Sequence, residues 1–370
     1  MNGYGMNIHK QDVHSVFSKV FQVKDENYLT LTIMSAFSFD DPGNLIDESD
    51  LWNAAGSALS NHDVLDMLMP KQMGEVLAAG KFFSPGGKSV RAGSVRISVG
   101  SIDKTLHVFG HRDWIKKTGV VGGISDPQLL TEMEITYVNA FGGPGYKQNP
   151  LGKGTEKKDS EDVISLPNIE YPNQLIGSPP DRPEPAGFGP LGPDWQQRAG
   201  KLGTYDRKWL ETRWPWFPED MGWTYFNAAP QDQQIAEYFT GDERVIIENM
   251  HPERSTISTS LPALRMRCFV RQEQNGDELF EEMGTRLDTV WLFPEYETGV
   301  VIWRGTLQVH DDEATDVHAA YAAHETLTED KKSLEYYRDI FFAESAEEAV
   351  PGVEPVKPPK EAVPGVEPVK

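Results

Sequence analysis

The 370-residue sequence predicts a mainly β (α+β) protein: two β-meander or sandwich-like units, joined by a long ordered Gly/Pro/Trp-rich segment and followed by a C-terminal helical pair. Three observations carry this. Alternating β-branched, aromatic and polar residues recur in both halves, at 75–114 and 263–309. Gly142–Pro230 between them holds half of the 26 prolines. Five of the nine tryptophans fall within Trp195–Trp223, whereas disordered segments are poor in aromatics, so this middle is expected to be ordered. The expected divisions are 1–141, 142–243, 244–310, acidic helices over 311–349, and a repeat tail over 350–370.

In chain order, Tyr28–Phe39 reads as a strand after a polar start, and Asp41-Pro42-Gly43-Asn44 as a turn. Asp50–Met69 has a helical apolar face and ends before Pro70. Glu75–Phe83, Ser89–Val99 and Thr105–Trp114 form a meander, and Met133–Phe141 a further strand. Asn139–Gly154, NAFGGPGYKQNPLGKG, packs five glycines and two prolines into sixteen residues and reads as successive tight turns. Its structural residues are Phe141, Gly142, Gly143, Gly145, Asn149, Pro150, Gly152 and Gly154.

Pro230–Phe239, with proline at its start and Gly241 after its end, predicts a short helix. Arg244–Asn249, Ala263–Gln272, Leu279–Met283, Thr289–Phe293 and Val300–Val309 are strands, with Asn275-Gly276 as a hairpin turn. Asp311 and Asp312 can cap a helix through about Glu325, and Thr328 a second one with Leu334, Tyr337, Ile340 and Phe341 on its apolar face. EAVPGVEPVK stands twice at the end, at Glu348–Lys357 and Glu361–Lys370, and reads as a disordered or polyproline-like tail.

A formal net charge of −22 weighs against nucleic-acid binding, which needs clustered Lys and Arg. The single cysteine, Cys268, excludes an internal disulfide framework and fits a reducing compartment. With no apolar run behind the N-terminus and no window near the length of a membrane span, the expectation is a cytoplasmic protein.

Catalytic patterns fail on inspection. Gly187-Phe188-Gly189-Pro190-Leu191-Gly192 matches the dinucleotide fingerprint, but Pro190 and Pro193 block the helix that must follow it. Gly87-Lys88-Ser89 ends like a phosphate loop, yet Phe82 stands where its first glycine belongs. His107 and His111 fall on a strand, about 13 Å apart. Cys268 alternates with Met266 and Val270 as a buried thiol does. Neither a metal nor another cofactor is expected. A glycan hydrolase can be drawn with Asp206 or Glu211 beside Trp209 and Trp214. The tryptophans also suit a partner surface, with Trp195, Trp209, Trp214, Trp216, Trp223 and Tyr205 as its candidate residues.

A set of motifs recurs in order along the chain. Among them are Leu68-Met69-Pro70-Lys71, Phe109-Gly110-His111-Arg112-Asp113-Trp114, Asn139-Ala140-Phe141-Gly142-Gly143 and Asn149-Pro150-Leu151-Gly152-Lys153-Gly154. Trp195-Gln196-Gln197-Arg198, Ala229-Pro230-Gln231-Asp232-Gln233-Gln234, Leu287-Asp288-Thr289 and Trp303-Arg304 follow. Their order resembles the bacterial domain-of-unknown-function family 2169, which accompanies type VI secretion genes, over roughly residues 20–310. The resemblance implies a non-enzymatic adaptor or chaperone. Its partners would be a toxic effector protein and the spike or spike-tip (PAAR-type) protein on which the effector is loaded. A structural part of the spike is a further reading.

Overall fold

Strands at 15–38 and at 285–309 share one sheet, although some 250 residues separate them. The structure, a computed structural model, describes residues 7–10, 14–46, 64–115, 122–155, 163–274, 277–309 and 315–348. By their contacts residues 1–331 form one unit and 332–370 another. Of the second unit the helix Leu334–Glu348 is described, in which the Tyr337 and Phe341 rings stack one turn apart.

The large sheet runs in the order Gln234–Ile235, Gly74–Ala78, Thr285–Phe293, Thr298–Val309, Glu26–Ser38, Ser15–Val23. Its ladders are antiparallel except between Gly74–Ala78 and Thr285–Phe293. Leu29, Leu31, Ile33, Val290, Leu292 and Val301 point to one face; Met34, Ala36, Trp291, Phe293, Val300 and Ile302 point to the other. Both faces are buried, so these central strands read as near-continuous apolar runs rather than clean alternation.

A five-stranded antiparallel sheet takes Ile169–Glu170, Ile102–Phe109, Ala92–Val99, Arg244–Glu248 and Thr256–Ser260. A four-stranded one takes Asn7–Lys10, Thr315–Thr326, Leu264–Gln274 and Asp277–Met283. One apolar core is built from all three sheets: Leu31 and Val301, Val95, Ile97 and Val245, and Met266 and Val270 belong to one buried cluster. Cys268 lies in this core, where burial pushes its thiol up to about 12.

The chain is thus mainly β, but its halves do not fold as consecutive units. Thr298–Val309 lies along Glu26–Ser38, and Arg244–Glu248 along Ala92–Val99. Each half alone would leave an open sheet edge, and the other half fills it.

Two expected helices are strand or turn instead. Thr315–Thr326 is a strand between Leu264–Gln274 and Asn7–Lys10, despite four helix-favouring alanines. Val317, Ala320 and Ala322 enter the core from it, and Tyr321 stacks on His9; burial against two neighbours outweighs a propensity of tenths of a kcal/mol. Pro230–Phe239 holds a 3₁₀ turn, Gln231–Gln233, then the edge strand Gln234–Ile235. The Gln233 side-chain amide donates to Val76 O at 2.7 Å and Phe188 O at 2.9 Å, joining this segment to the strand Gly74–Ala78 and to the Gly/Pro/Trp-rich middle rather than to a helix.

Met133–Phe141 divides into the short strand Glu132–Glu134, a 3₁₀ turn and Phe141–Gly142. Strands Ser15–Val23 and Thr256–Ser260 were not expected from the sequence. Of the early helix, Val64–Leu68 is helical; its first part, like the Asn275-Gly276 turn, the Asp311 cap and the C-terminal repeats, lies outside the described residues.

Candidate partner-binding surface

The middle segment lies over the large sheet with little regular structure of its own. Asn227 donates to Met73 O at 2.8 Å, the Ala229 amide donates to the Glu75 carboxylate at 3.1 Å, and the Ala78 amide donates to Phe188 O at 3.1 Å. Met221, Tyr225 and Phe226 pack with Phe21 and Met69, and the half-buried Trp223 meets Phe21, Phe217 and Phe226 with ring centroids 5.2, 6.1 and 5.8 Å apart. Trp195 is only 3% exposed and sits edge-on to Tyr137 at 5.0 Å. Among the six aromatic candidates it is therefore an internal prop and not a contact surface.

From this base one loop, Thr204–Asp220, stands out. Its foot is closed by Asp220, whose carboxylate accepts from the Thr204 amide at 2.9 Å and hydroxyl at 2.7 Å. The Thr204 side-chain bond, with the Thr204 amide, holds the Asp220 carboxyl below its ordinary range. Asp206 caps the short helix Arg207–Thr212 by accepting from Trp209 N at 2.8 Å. The Trp209 indole donates across the loop to Trp216 O at 2.8 Å, and the Tyr205 ring meets Trp209 edge-on at 4.7 Å.

Arg213 ties the loop to the large sheet. Its guanidinium donates to Gln22 Oε1 at 2.9 Å and to the Lys24 carbonyl, at the turn between the two N-terminal strands. These bonds leave Trp214 65%, Leu210 60% and Tyr205 48% exposed, while Trp209 and Trp216 are half-buried. Leu210 and Arg213 were not picked out from the sequence; the i, i+3 relation of Leu210 to Arg213 in a capped helix is the only hint it offered.

Asp206 and Glu211 each have another partner. Asp206 is used as the helix cap, and Glu211 pairs with the exposed Arg207 at 2.7 Å. Asp206, Trp209 and Asp220 line a cavity of about 270 Å³, and Glu211 is not among its walls.

The Asn139–Gly154 stretch closes on Asn149. This fully buried side chain donates to Tyr137 O at 2.8 Å and Phe141 O at 3.0 Å, while its oxygen accepts from Leu151 N at 3.2 Å. Phe141–Gly142 pairs in parallel with Lys153–Gly154, and Gly143 N donates to Asn149 O at 2.9 Å. A Cβ on Gly142 would lie 2.2 Å from Asn149 O, so no other residue fits there. Gly154 has φ +115° with Phe141 against it. Gly143 and Gly145 also have positive φ, Pro150 follows the buried Asn149, and a Cβ on Gly152 would meet Ala140 O at 2.6 Å. Asn149→Ala is expected to lower stability by about 2–3 kcal/mol, because the Phe141 carbonyl loses its side-chain donor, Leu151 N loses its acceptor, and the Tyr137 carbonyl keeps only the Ala140 amide. Urea unfolding measures it, and a loss below about 1 kcal/mol would show the amide to be dispensable.

Other motifs converge in the interior although no local pattern connects them. Arg198 pairs with Asp66, Lys71 with Glu75 and Arg304 with Asp288, all six side chains buried. Arg304 also donates to Met67 O at 2.8 Å, and Glu75 accepts from Asn227 at 3.3 Å. Burial pushes the Asp66 and Asp288 carboxyls upward, and the neighbouring guanidiniums pull against that. The available signal was a charge inside an apolar run, as in Leu287-Asp288-Thr289-Val290-Trp291.

Among the described residues no cluster of three or more His, Cys, Asp or Glu is placed to hold a metal ion, and no helix is long and apolar enough to cross a membrane.

Fold and surface define a strand-rich protein that holds an aromatic loop out from a sheet covered on both faces. Residues 24–304, more than half of the chain, match the family described as "Uncharacterized protein conserved in bacteria (DUF2169)", and the chain belongs to that family. Neither the curated proteins nor the solved structures contain a match to it.

Proposed function

We propose that this protein is a non-enzymatic adaptor that binds and stabilises a type VI secretion effector and helps load it onto the spike complex. The observation that carries the reading is the loop Thr204–Asp220, which presents Trp214, Leu210 and Tyr205 to solvent while Asp206, Arg213 and Asp220 hold its backbone. Aromatic anchors already held in place lose little entropy on docking. The motif order, with its likeness to a family that accompanies type VI secretion genes, supplies the class of partner.

The test is co-expression with a candidate type VI secretion effector, followed by pull-down and titration. Trp214→Ala is expected to weaken the complex by about 2 kcal/mol, roughly 30-fold, with Leu210→Ala adding to the loss. Stability of the free variant should stay within about 0.5 kcal/mol of the parent, since Trp214 is mostly in water. No complex with the effector, or undiminished affinity in the double variant, would refute the reading.

A further inference from the structure

We propose that the cavity walled by Lys71, Tyr238, Arg286, Asp288 and Arg304 binds the carboxylate end of a peptide or amino acid. Its volume, about 340 Å³, is that of a small ligand site. Three of its walls are cations, in a chain whose formal net charge is −22. Two of them are balanced: Lys71 by Glu75, Arg304 by Asp288.

Arg286 is not balanced, since among the described residues no acid pairs with it. Its guanidinium instead donates to the Tyr238 hydroxyl at 3.1 Å and lies over the Tyr238 ring at 4.8 Å. That hydroxyl donates in turn to Lys71 O at 2.9 Å. Among the described residues Arg286 is therefore the cavity's one cation without an acidic partner, held by these contacts at its solvent-facing wall.

The charge balance selects the ligand. One excess positive charge matches a monoanion, whereas a dianionic phosphate would bring surplus negative charge to Asp288. A carboxylate also fits the guanidinium fork. Asp288 reaches the cavity because the pairing between Thr285–Phe293 and Thr298–Val309 shifts register between Leu287 and Thr289, a bulge with Asp288 as its extra residue. It offers an acceptor to the N–H or ammonium that accompanies the carboxylate of an amino acid or a C-terminal residue. The proposal stands independently of the adaptor reading and uses none of its loop.

Calorimetric titration of the full chain tests it with four probes: N-acetyl tetra-alanine, the same peptide as its C-terminal amide, free alanine and inorganic phosphate. The peptide acid is expected to bind at least about tenfold more tightly than the amide. Arg286→Gln should weaken it about tenfold or more, and Tyr238→Phe should weaken it less, both with unfolding midpoints near the parent's. Binding of free alanine in place of the peptide would support the pocket and assign it to an amino acid. Equal binding of acid and amide, no binding up to about 10 mM, preference for phosphate, or an unaffected Arg286→Gln variant would each overturn it.

Discussion

Arg198→Met is expected to destabilise the protein by about 3–5 kcal/mol, the usual cost of leaving one half of a buried ion pair alone. The residue is almost wholly enclosed, and its guanidinium spends every nitrogen. Nη1 donates to Asp66 Oδ2 at 2.9 Å and to Leu191 O at 2.8 Å, Nε donates to Tyr225 O at 3.0 Å, and Nη2 completes the pair with Asp66. The group also lies over the Tyr225 ring, 4.6 Å from its centroid. Methionine keeps much of the stem's volume but removes the donor that Leu191 O and Tyr225 O share and the counter-ion of Asp66.

Asp66 already titrates above its ordinary range because of burial, and losing Arg198 would drive it further toward the protonated form. The companion variant follows from that: adding Asp66→Asn to Arg198→Met should recover part of the loss. Urea unfolding of the parent, the single variant and the double variant decides it. A loss under about 1 kcal/mol in the single variant would mean that the pair is not needed to hold the Gly/Pro/Trp-rich middle against the Val64–Leu68 helix.

The second large effect is acid sensitivity through His14. Its Nδ1 meets Ser35 Oγ at 2.5 Å and its Nε2 meets His324 Nδ1 at 2.9 Å, and Lys10 donates to its carbonyl oxygen. Burial first, then the charges of His324 and Lys10, lowers its pKa from 6.5 to about 4. The folded state therefore resists a proton that the unfolded chain accepts below about pH 6.5. Stability is fully present above that pH and falls as pH drops toward 4, by about 1.4 kcal/mol for each pH unit within the window. Between pH 7.5 and 5 the parent is expected to lose about 2 kcal/mol from this group. His14→Gln, which cannot titrate, should remove that slope while leaving the titration of the carboxylates at lower pH. Equal pH slopes in parent and variant would show that His14 is not the sensitive group.

Local signals in the sequence were enough for much of the architecture. The β-branched runs became Glu26–Ser38, Ala92–Val99, Ile102–Phe109 and Thr298–Val309, because alternation and propensity act within a few residues. The glycine-rich stretch was legible as turns for the same reason: Gly143 and Gly145, both at positive φ, declare backbone shapes that need no distant partner to be recognised. Five tryptophans in a proline-rich segment were enough to expect order there, since such rings must be covered.

What pairs with what was not legible. Asp66 and Arg198 are 132 residues apart, and nothing near either one names the other. The stretch Thr315–Thr326 reads as helix from the Asp311 and Asp312 cap, and it is a strand because Leu264–Gln274 offers a ladder. Trp195 and Trp214 carry the same side chain; one faces Tyr137 and the other faces water. The sequence by itself determined most of the strands and turns, because those are preferences of neighbouring residues. Only the tertiary structure decided which sheets the strands share, which charges are matched in the interior and which rings remain outside, because burial and pairing are set by residues far away along the chain.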